Sequence, residues 1–349
     1  MKILYFSKTS EIGPSSRYRI YQYKPYLSDA GIDCHISPLF TETYFRILKI
    51  NNSFLKIFLK TFYSLWRFVL RAKDTLSAPD YDLVVIEHQL FPYLPYPIEK
   101  VFRILNRRTV VEFDDAIYLT FLHRKKMQKS LKNSSGVIAG NRFLAGFAEE
   151  FNRDVKIIPT IIDTEIYRVK ENYEANKIVI CWIGLAYNLS YLNQLNDVLK
   201  TISRKFDISL KIISSKPLMI DGVNVVFKEW CHENEIDDLR SSDIGIMPLP
   251  DNEWTKGKCG AKLLQYMACG LPSVSSPVGV NSEIINDGEN GFLARSSEEW
   301  ISRIALLIED KNLREAMGRK ARKTVEEKYS LKKWSEELAK TYLYFDKRI

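Results

Sequence analysis

Short apolar runs alternate with longer amphipathic stretches along this chain. Residues 2–6, 34–37, 81–87, 108–113, 136–140 and 155–159 have the continuous apolar character of strands buried on both faces. Between them, 16–30, 123–132 and 141–151 repeat apolar residues at helical spacing, with Gly31 ending the first and Asn141 capping the last. A polar break at 173–176 precedes a second series, with strands at 177–183, 208–214, 223–227, 243–247 and 273–276. Its helices are expected at 188–206, 233–240, 297–309, 311–328 and 331–345. Alternation of this kind predicts parallel sheets with helices on both faces, and two such series predict two domains. The length of 349 residues agrees, since one core rarely grows that large.

One stretch departs from the alternation. Residues 46–73 hold seven basic side chains and no acidic one, around a wide stripe that includes Phe54, Phe58, Phe62, Leu65, Trp66 and Val69. Two readings fit: a core helix with a basic outer face, or a helix lying on an anionic membrane surface. Charge is uneven in the same sense. Residues 1–165 carry 24 Lys and Arg against 17 Asp and Glu, which is nearly all of the net +8. That favours an anionic ligand or surface for the N-terminal half. A nucleic-acid partner is not expected, because no recognisable module accompanies the charge. The five cysteines are odd in number and scattered, so neither a disulfide framework nor a zinc site is expected, and a cytoplasmic setting follows. No apolar run is long enough to span a bilayer, which leaves peripheral contact with the inner membrane face as the membrane option.

Candidate chemistry gathers after strand ends. The loop behind the first strand carries Gly13, Ser15, Ser16, Arg17 and Arg19, without the glycine pattern of a dinucleotide fingerprint. Arg17 and Arg19 read either as solvated helix residues or as acceptor contacts. His88 follows the 81–87 strand, and the Asp114-Asp115 pair follows 108–113. Gly184 closes the first strand of the second series. Lys256, Lys258 and Lys262 interleave with Gly257 and Gly260 just before a helix that starts at Ala261. Free N–H groups and a positive dipole end there suit a phosphate.

The same segment, with Met267-Ala268-Cys269-Gly270-Leu271-Pro272 behind it, resembles the signature of family 4 retaining glycosyltransferases. Gly260 falls on that family's glycine, while Gly257 and Gln265 stand where it has two glutamates. The stretches 110–118, 157–167 and 287–293 resemble the family as well. The resemblance implies a GT-B fold of class α/β, with two doubly wound Rossmann-like domains facing across a cleft. It implies an acceptor-side domain at 1–165, a nucleotide-sugar domain at 166–330, and a last helix at 331–349 crossing back towards the first domain. The implied reaction moves a sugar from a nucleoside-diphosphate sugar to a hydroxyl of a glycan or lipid-linked acceptor, with retention of configuration. In this reading Gly13, Gly184, Lys256, Lys258, Gly260, Ala261 and Gln265 bind the donor. Arg17, Arg19 and His88 bind the acceptor, and Asp114, Asp115 and Lys262 do the chemistry without a metal or other cofactor. The missing glutamates leave open a non-catalytic subunit of the same fold, partnering an active transferase.

Overall fold

A computed structural model describes residues 1–103, 105 and 108–347. The chain divides into two compact units. Unit 1 comprises Met1–Thr160 together with Lys332–Ile349, and unit 2 comprises Ile161–Leu331. Each is built on a six-stranded, all-parallel sheet.

In unit 1 the strands are β1 (Lys2–Thr9), β2 (Asp33–Phe40), β3 (Leu83–Glu87), β4 (Thr109–Phe113), β5 (Gly136–Ala139) and β6 (Val155–Ile157). Their spatial order is β2-β1-β3-β4-β5-β6, so the winding direction reverses between β1 and β3. In unit 2 they are β7 (Ile178–Ile183), β8 (Ile208–Ser214), β9 (Val225–Glu229), β10 (Ile244–Met247), β11 (Ser273–Ser275) and β12 (Phe292–Leu293). Here the order is β12-β11-β10-β7-β8-β9, with the reversal between β7 and β10. The central strands are buried throughout, which is why they are rich in Val, Ile and Leu.

Three expected helices are interrupted, each for a local reason. The 16–30 stretch forms Pro14–Arg19, a tight turn at Tyr21–Tyr23, and Lys24–Asp29. Pro25 has no N–H to donate into a continuous helix. The basic stretch splits into Glu42–Leu48 and Ser53–Thr75, because Asn52 caps the second helix by accepting from Leu55 N–H at 3.0 Å. The 188–206 stretch ends as Leu189–Leu192 and Asn196–Lys205, with Asn188, Asn193 and Asn196 at the breaks. Asparagine competes with the helix for backbone hydrogen bonds. Conversely, the prolines after β3 admit a helix, Tyr96–Arg103, since Pro97 occupies its first turn, where no donor is needed.

The last helix, Leu331–Lys347, completes unit 1. A Cβ on Gly136 would sit 2.1 Å from the Phe345 ring, so only glycine admits that ring against β5. Asp346 pairs with Arg108 at 2.9 Å, and the Tyr344 hydroxyl donates to Asp154 at 3.1 Å. Both ends of unit 2 meet: Ile162 N–H donates to Tyr329 O, and Leu331 N–H donates to Ile162 O, each at 2.9 Å. Among the described residues, no helix is long and apolar enough to cross a membrane.

Candidate functional site

Open α/β sheets bind ligands beyond the carboxyl ends of their strands, where the winding reverses. In unit 1 that point is the β1/β3 boundary, and a buried polar cluster occupies it. Glu87, the last residue of β3, accepts from Ser16 Oγ at 2.7 Å and from Lys8 N–H at 2.8 Å. Its second oxygen, Oε1, is buried without a hydrogen-bond partner. Ser16 also meets the Thr9 hydroxyl at 2.8 Å. Gly13 allows this turn to close, because a Cβ there would lie 1.9 Å from Thr9 Oγ1. On β4, Glu112 is paired in register with Glu87. It takes a hydrogen bond from Tyr5 at 2.8 Å and forms an ion pair with Arg19 Nε. Burial raises the Glu112 carboxyl, against the Arg19 charge beside it, and it raises the Tyr5 phenol well above its ordinary value.

Next to this cluster, His88 and Asp114 form the feature with the most evident chemistry. His88 adopts φ of 60°, a left-handed conformation that non-glycine residues seldom hold. Its Nε2 stands 3.1 Å from Asp114 Oδ1. Ser15 Oγ lies 2.8 and 2.7 Å from the two Asp114 oxygens. Burial alone would neutralise both groups. The His88 contact and charge overcome this and hold Asp114 far below the usual carboxylate range. Asp114 likewise raises His88 against its own burial. Both ring nitrogens of His88 are buried outside hydrogen-bond geometry, with Nε2 held to Asp114 as an ion-pair contact. Asp115 is half-buried beside Asp114, and its carbonyl receives Ile117 N–H at 2.8 Å.

The solvated reading of Arg17 and Arg19 does not hold. Both are buried, Arg17 over the Tyr18 ring at 4.9 Å and Arg19 between Glu112 and the Ile158 carbonyl, which it reaches at 2.7 Å. Glu87 and Glu112 were not singled out in the sequence. The signal was a carboxylate closing an otherwise apolar strand, as in V-V-I-E and V-V-E-F.

In unit 2 the reversal lies between β7 and β10. Those strands pair only through Ile180–Ile244 and Cys181–Gly245, then part. Tyr266 fills the opening: its hydroxyl receives Ile183 N–H at 3.0 Å and donates to Ile246 O at 3.3 Å. Gly245 makes room, since a Cβ would lie 2.5 Å from the tyrosine ring. Gly184 follows directly, with Lys262 laid over it. A Cβ on Gly184 would approach Lys262 Cε to 2.7 Å and Trp182 Cη2 to 2.8 Å. Lys262 Nζ sits 5.5 Å from the Trp182 ring centroid. Gly260, at φ of 74°, opens the helix Ala261–Ala268 in a left-handed conformation, and its missing Cβ clears Ile284 Cδ1.

The three lysines do not gather at one point. Lys256 pairs with Asp251 at 3.1 Å, Lys258 lies over the Trp254 ring at 5.1 Å, and Lys262 alone lies on Gly184. Gln265 is buried and donates to the Tyr167 hydroxyl at 3.3 Å. Tyr167 donates on to Glu235 at 2.5 Å, and Trp230 donates to the same carboxylate at 2.6 Å. Gly257 ends the short helix Glu253–Lys256. No group of three potential metal-ligating side chains occurs among the described residues.

Two six-stranded parallel sheets wound in this way define a GT-B fold. Residues 177–310 match the family Glycosyl transferases group 1. A protein of Methanocaldococcus jannaschii, named as uncharacterized glycosyltransferase MJ1069, is 28% identical over 251 residues, 64% of this chain and 62% of its own length. The N-acetyl-alpha-D-glucosaminyl L-malate synthase of Bacillus anthracis is 24% identical over 56% of this chain and 54% of its own length. The matched region thus spans little more than half of each relative. Among solved structures, Anabaena Alr3699/HepE in complex with UDP-glucose superposes with a TM-score of 0.73, covering 99% of this chain and 100% of that one at 16% identity.

Proposed function

We propose that the protein transfers a sugar from a nucleoside-diphosphate sugar to a hydroxyl acceptor, with retention of configuration. The anomeric C–O bond to the diphosphate breaks, a bond to the acceptor oxygen forms, and the acceptor proton passes to the departing phosphate. The observation that carries this reading is Lys262 lying on Gly184 at the β7/β10 reversal, beside the Gly260-headed helix. A cation and the N-terminal end of a helix there would stabilise the negative charge that grows on the diphosphate. Lys256, Lys258 and the Gly13 loop are donor contacts in the same proposal. The solved relative that binds UDP-glucose supports that donor class. The scheme uses amides and lysine, with no metal ion, to offset the leaving charge.

On the acceptor side, Asp114 and His88 supply one hydrogen-bond acceptor and one donor for sugar hydroxyls, with Asp115 at the rim. The acceptor is a glycan or lipid-linked precursor. The helix Ser53–Thr75 would lie on the inner face of the cytoplasmic membrane, because its apolar stripe faces solvent rather than the core of unit 1. The opposite face packs on unit 1 through Phe68 and Ala72.

The test is thermal denaturation against a panel of nucleoside-diphosphate sugars, followed by product analysis. A ligand at 100 times its Kd adds about 2.7 kcal/mol of stability. Stabilisation by none of them overturns the proposal. A second reading, a non-catalytic partner subunit, is favoured by one observation: Gln265 is tied to Tyr167 and Gly257 offers no side chain. Nucleotide-sugar binding without hydrolysis or transfer would select it.

A further inference from the structure

Solvent also reaches a second apolar patch on unit 1, far in sequence from the basic helix. Phe121 is 95% exposed and Leu122 is 71% exposed, at the start of the helix Phe121–Lys132. This helix, like 46–73, contains no acidic residue, and it carries Arg124, Lys125, Lys129 and Lys132. We propose that Phe121 and Leu122 form a second insertion point for an anionic lipid surface, alongside the helix Ser53–Thr75. The inference rests on the membrane reading above and adds the surface and its orientation.

Aromatic rings border both parts of this surface. Tyr63 of the basic helix lies 6.3 Å from Tyr44, and its hydroxyl meets the Thr41 hydroxyl at 2.8 Å. Burial raises the Tyr44 phenol, and the neighbouring Tyr93 phenol adds to the rise. Tyr93 stacks at 5.5 Å, tilted, against His123, the residue after Leu122. Tyr93 is held outward at φ of 70°, the second left-handed non-glycine residue of the loop that begins at His88. Tyrosine and tryptophan favour the headgroup level of a bilayer, where the ring is half-immersed and the polar tip stays wet. On the basic helix, Phe54 is 83% exposed and Trp66 is 55% exposed.

This surface lies at the edge of the sheet that carries the site. Thr41 follows β2, Tyr93 follows β3 and Phe121 follows β4, all beyond carboxyl ends. Arg71 fastens the basic helix there by donating to Ser7 O at 2.6 Å and Ser37 O at 3.0 Å, at the ends of β1 and β2. Arg67 does the same to Leu39 O at 2.8 Å. A bilayer touching both patches would therefore face His88 and Asp114, which fits a lipid-linked acceptor. Charge decides against a second copy as the occupant. Two such faces brought together would oppose the basic residues of both helices, whereas anionic headgroups complement them.

The experiment is cosedimentation with vesicles of phosphatidylglycerol in phosphatidylcholine, compared with phosphatidylcholine alone. The wild type should bind the anionic vesicles and leave them in about 1 M salt, where the Debye length is about 3 Å. Phe121→Ser with Leu122→Ser should weaken partition about ten-fold or more, as should Phe58→Ser with Trp66→Ser. Thermal denaturation should stay unchanged in both, because these side chains are exposed. Wild-type binding that the Phe121/Leu122 variant retains in full overturns this inference and leaves the membrane reading of the basic helix standing. A wild type that ignores anionic vesicles overturns both. A concentration-dependent dimer in sedimentation velocity, dissolved by either variant and indifferent to lipid, would make the surface a self-interface and also overturn it.

Discussion

His88 Nε2 lies 3.1 Å from Asp114 Oδ1, and each group moves the other's proton equilibrium away from what burial alone would impose. The pair therefore acts as a joined charge at the edge of the unit 1 sheet. His88 is raised in the fold above its ordinary value of 6.5, so its contribution to stability is complete below that pH. It fades as pH rises through the higher folded value. Asp114 is lowered from 3.8, so its contribution is present above that pH and is lost only in strong acid.

Urea denaturation across pH should accordingly show stability falling from just above pH 6.5 upward, with a slope that Asp114→Asn removes. Nuclear magnetic resonance titration of the His88 ring should show its pKa dropping in Asp114→Asn. A His88 titration that the Asn variant leaves in place would contradict the pairing.

Lys262 should matter more for diphosphate binding than either of its neighbours in sequence. Lys262→Ala should weaken UDP about ten-fold or more while leaving uridine nearly unchanged, on the scale of a lost charge-assisted hydrogen bond. Lys256→Ala should weaken UDP less than Lys262→Ala, since that lysine is also paired with Asp251 at the surface. Gly184→Ala should mimic Lys262→Ala, because the added methyl would meet Lys262 Cε at 2.7 Å. Titration calorimetry with the two ligands separates these outcomes.

Gly260 is held at φ of 74° with Ile284 Cδ1 2.4 Å from where a Cβ would go. Gly260→Ala should cost about 1–3 kcal/mol from backbone strain, plus a packing penalty. Chemical denaturation measures it. A neutral result would mean that the helix start relaxes freely.

Glu99 and Lys126 form a fully buried ion pair at 2.9 Å, and Lys126 also donates to Leu94 O at 3.0 Å. The loop after β3 hangs on this pair. Glu99→Gln should destabilise the protein by about 3–5 kcal/mol, because it leaves a buried ammonium uncompensated. Glu99→Leu combined with Lys126→Met should recover most of that loss. A double variant as unstable as the single one would show that the pair's geometry, and not its charge, holds the loop.

Strand order was not readable from the sequence, but the existence of nearly every strand was. Burial on both faces leaves an unbroken apolar signature, and 208–214 matches β8 at both ends. The helices 297–309 and 311–328 match as well, because Ser296 and Asp310 cap them with their own side chains. Breaks were harder. Asn52 is an unremarkable letter until its side chain turns back to Leu55 N–H, and Pro97 signals a stop or a start depending on what precedes it. The glycine and lysine spacing at 256–262 was legible ahead of a helix start, whereas Gly184 stood out only through the family resemblance. The separation of the three lysines was not legible, since it depends on Asp251, Trp254 and Trp182 as partners. The pairing of Glu112 with Arg19 was hidden for a related reason. Their pairing joins residues 93 positions apart, and such a distance leaves no local pattern.

The placement of the last helix has a consequence for synthesis. A ribosome delivers β1 to β6 first, and then all of unit 2, before Phe345 exists to fill the space over Gly136. Until then the β5 face stays open where that ring belongs, and unit 2 must form as a loop closed at Ile162 and Tyr329. Folding of the first-made part is thus finished by the last-made part, and a nascent chain stalled anywhere in unit 2 would present an uncapped sheet to chaperones.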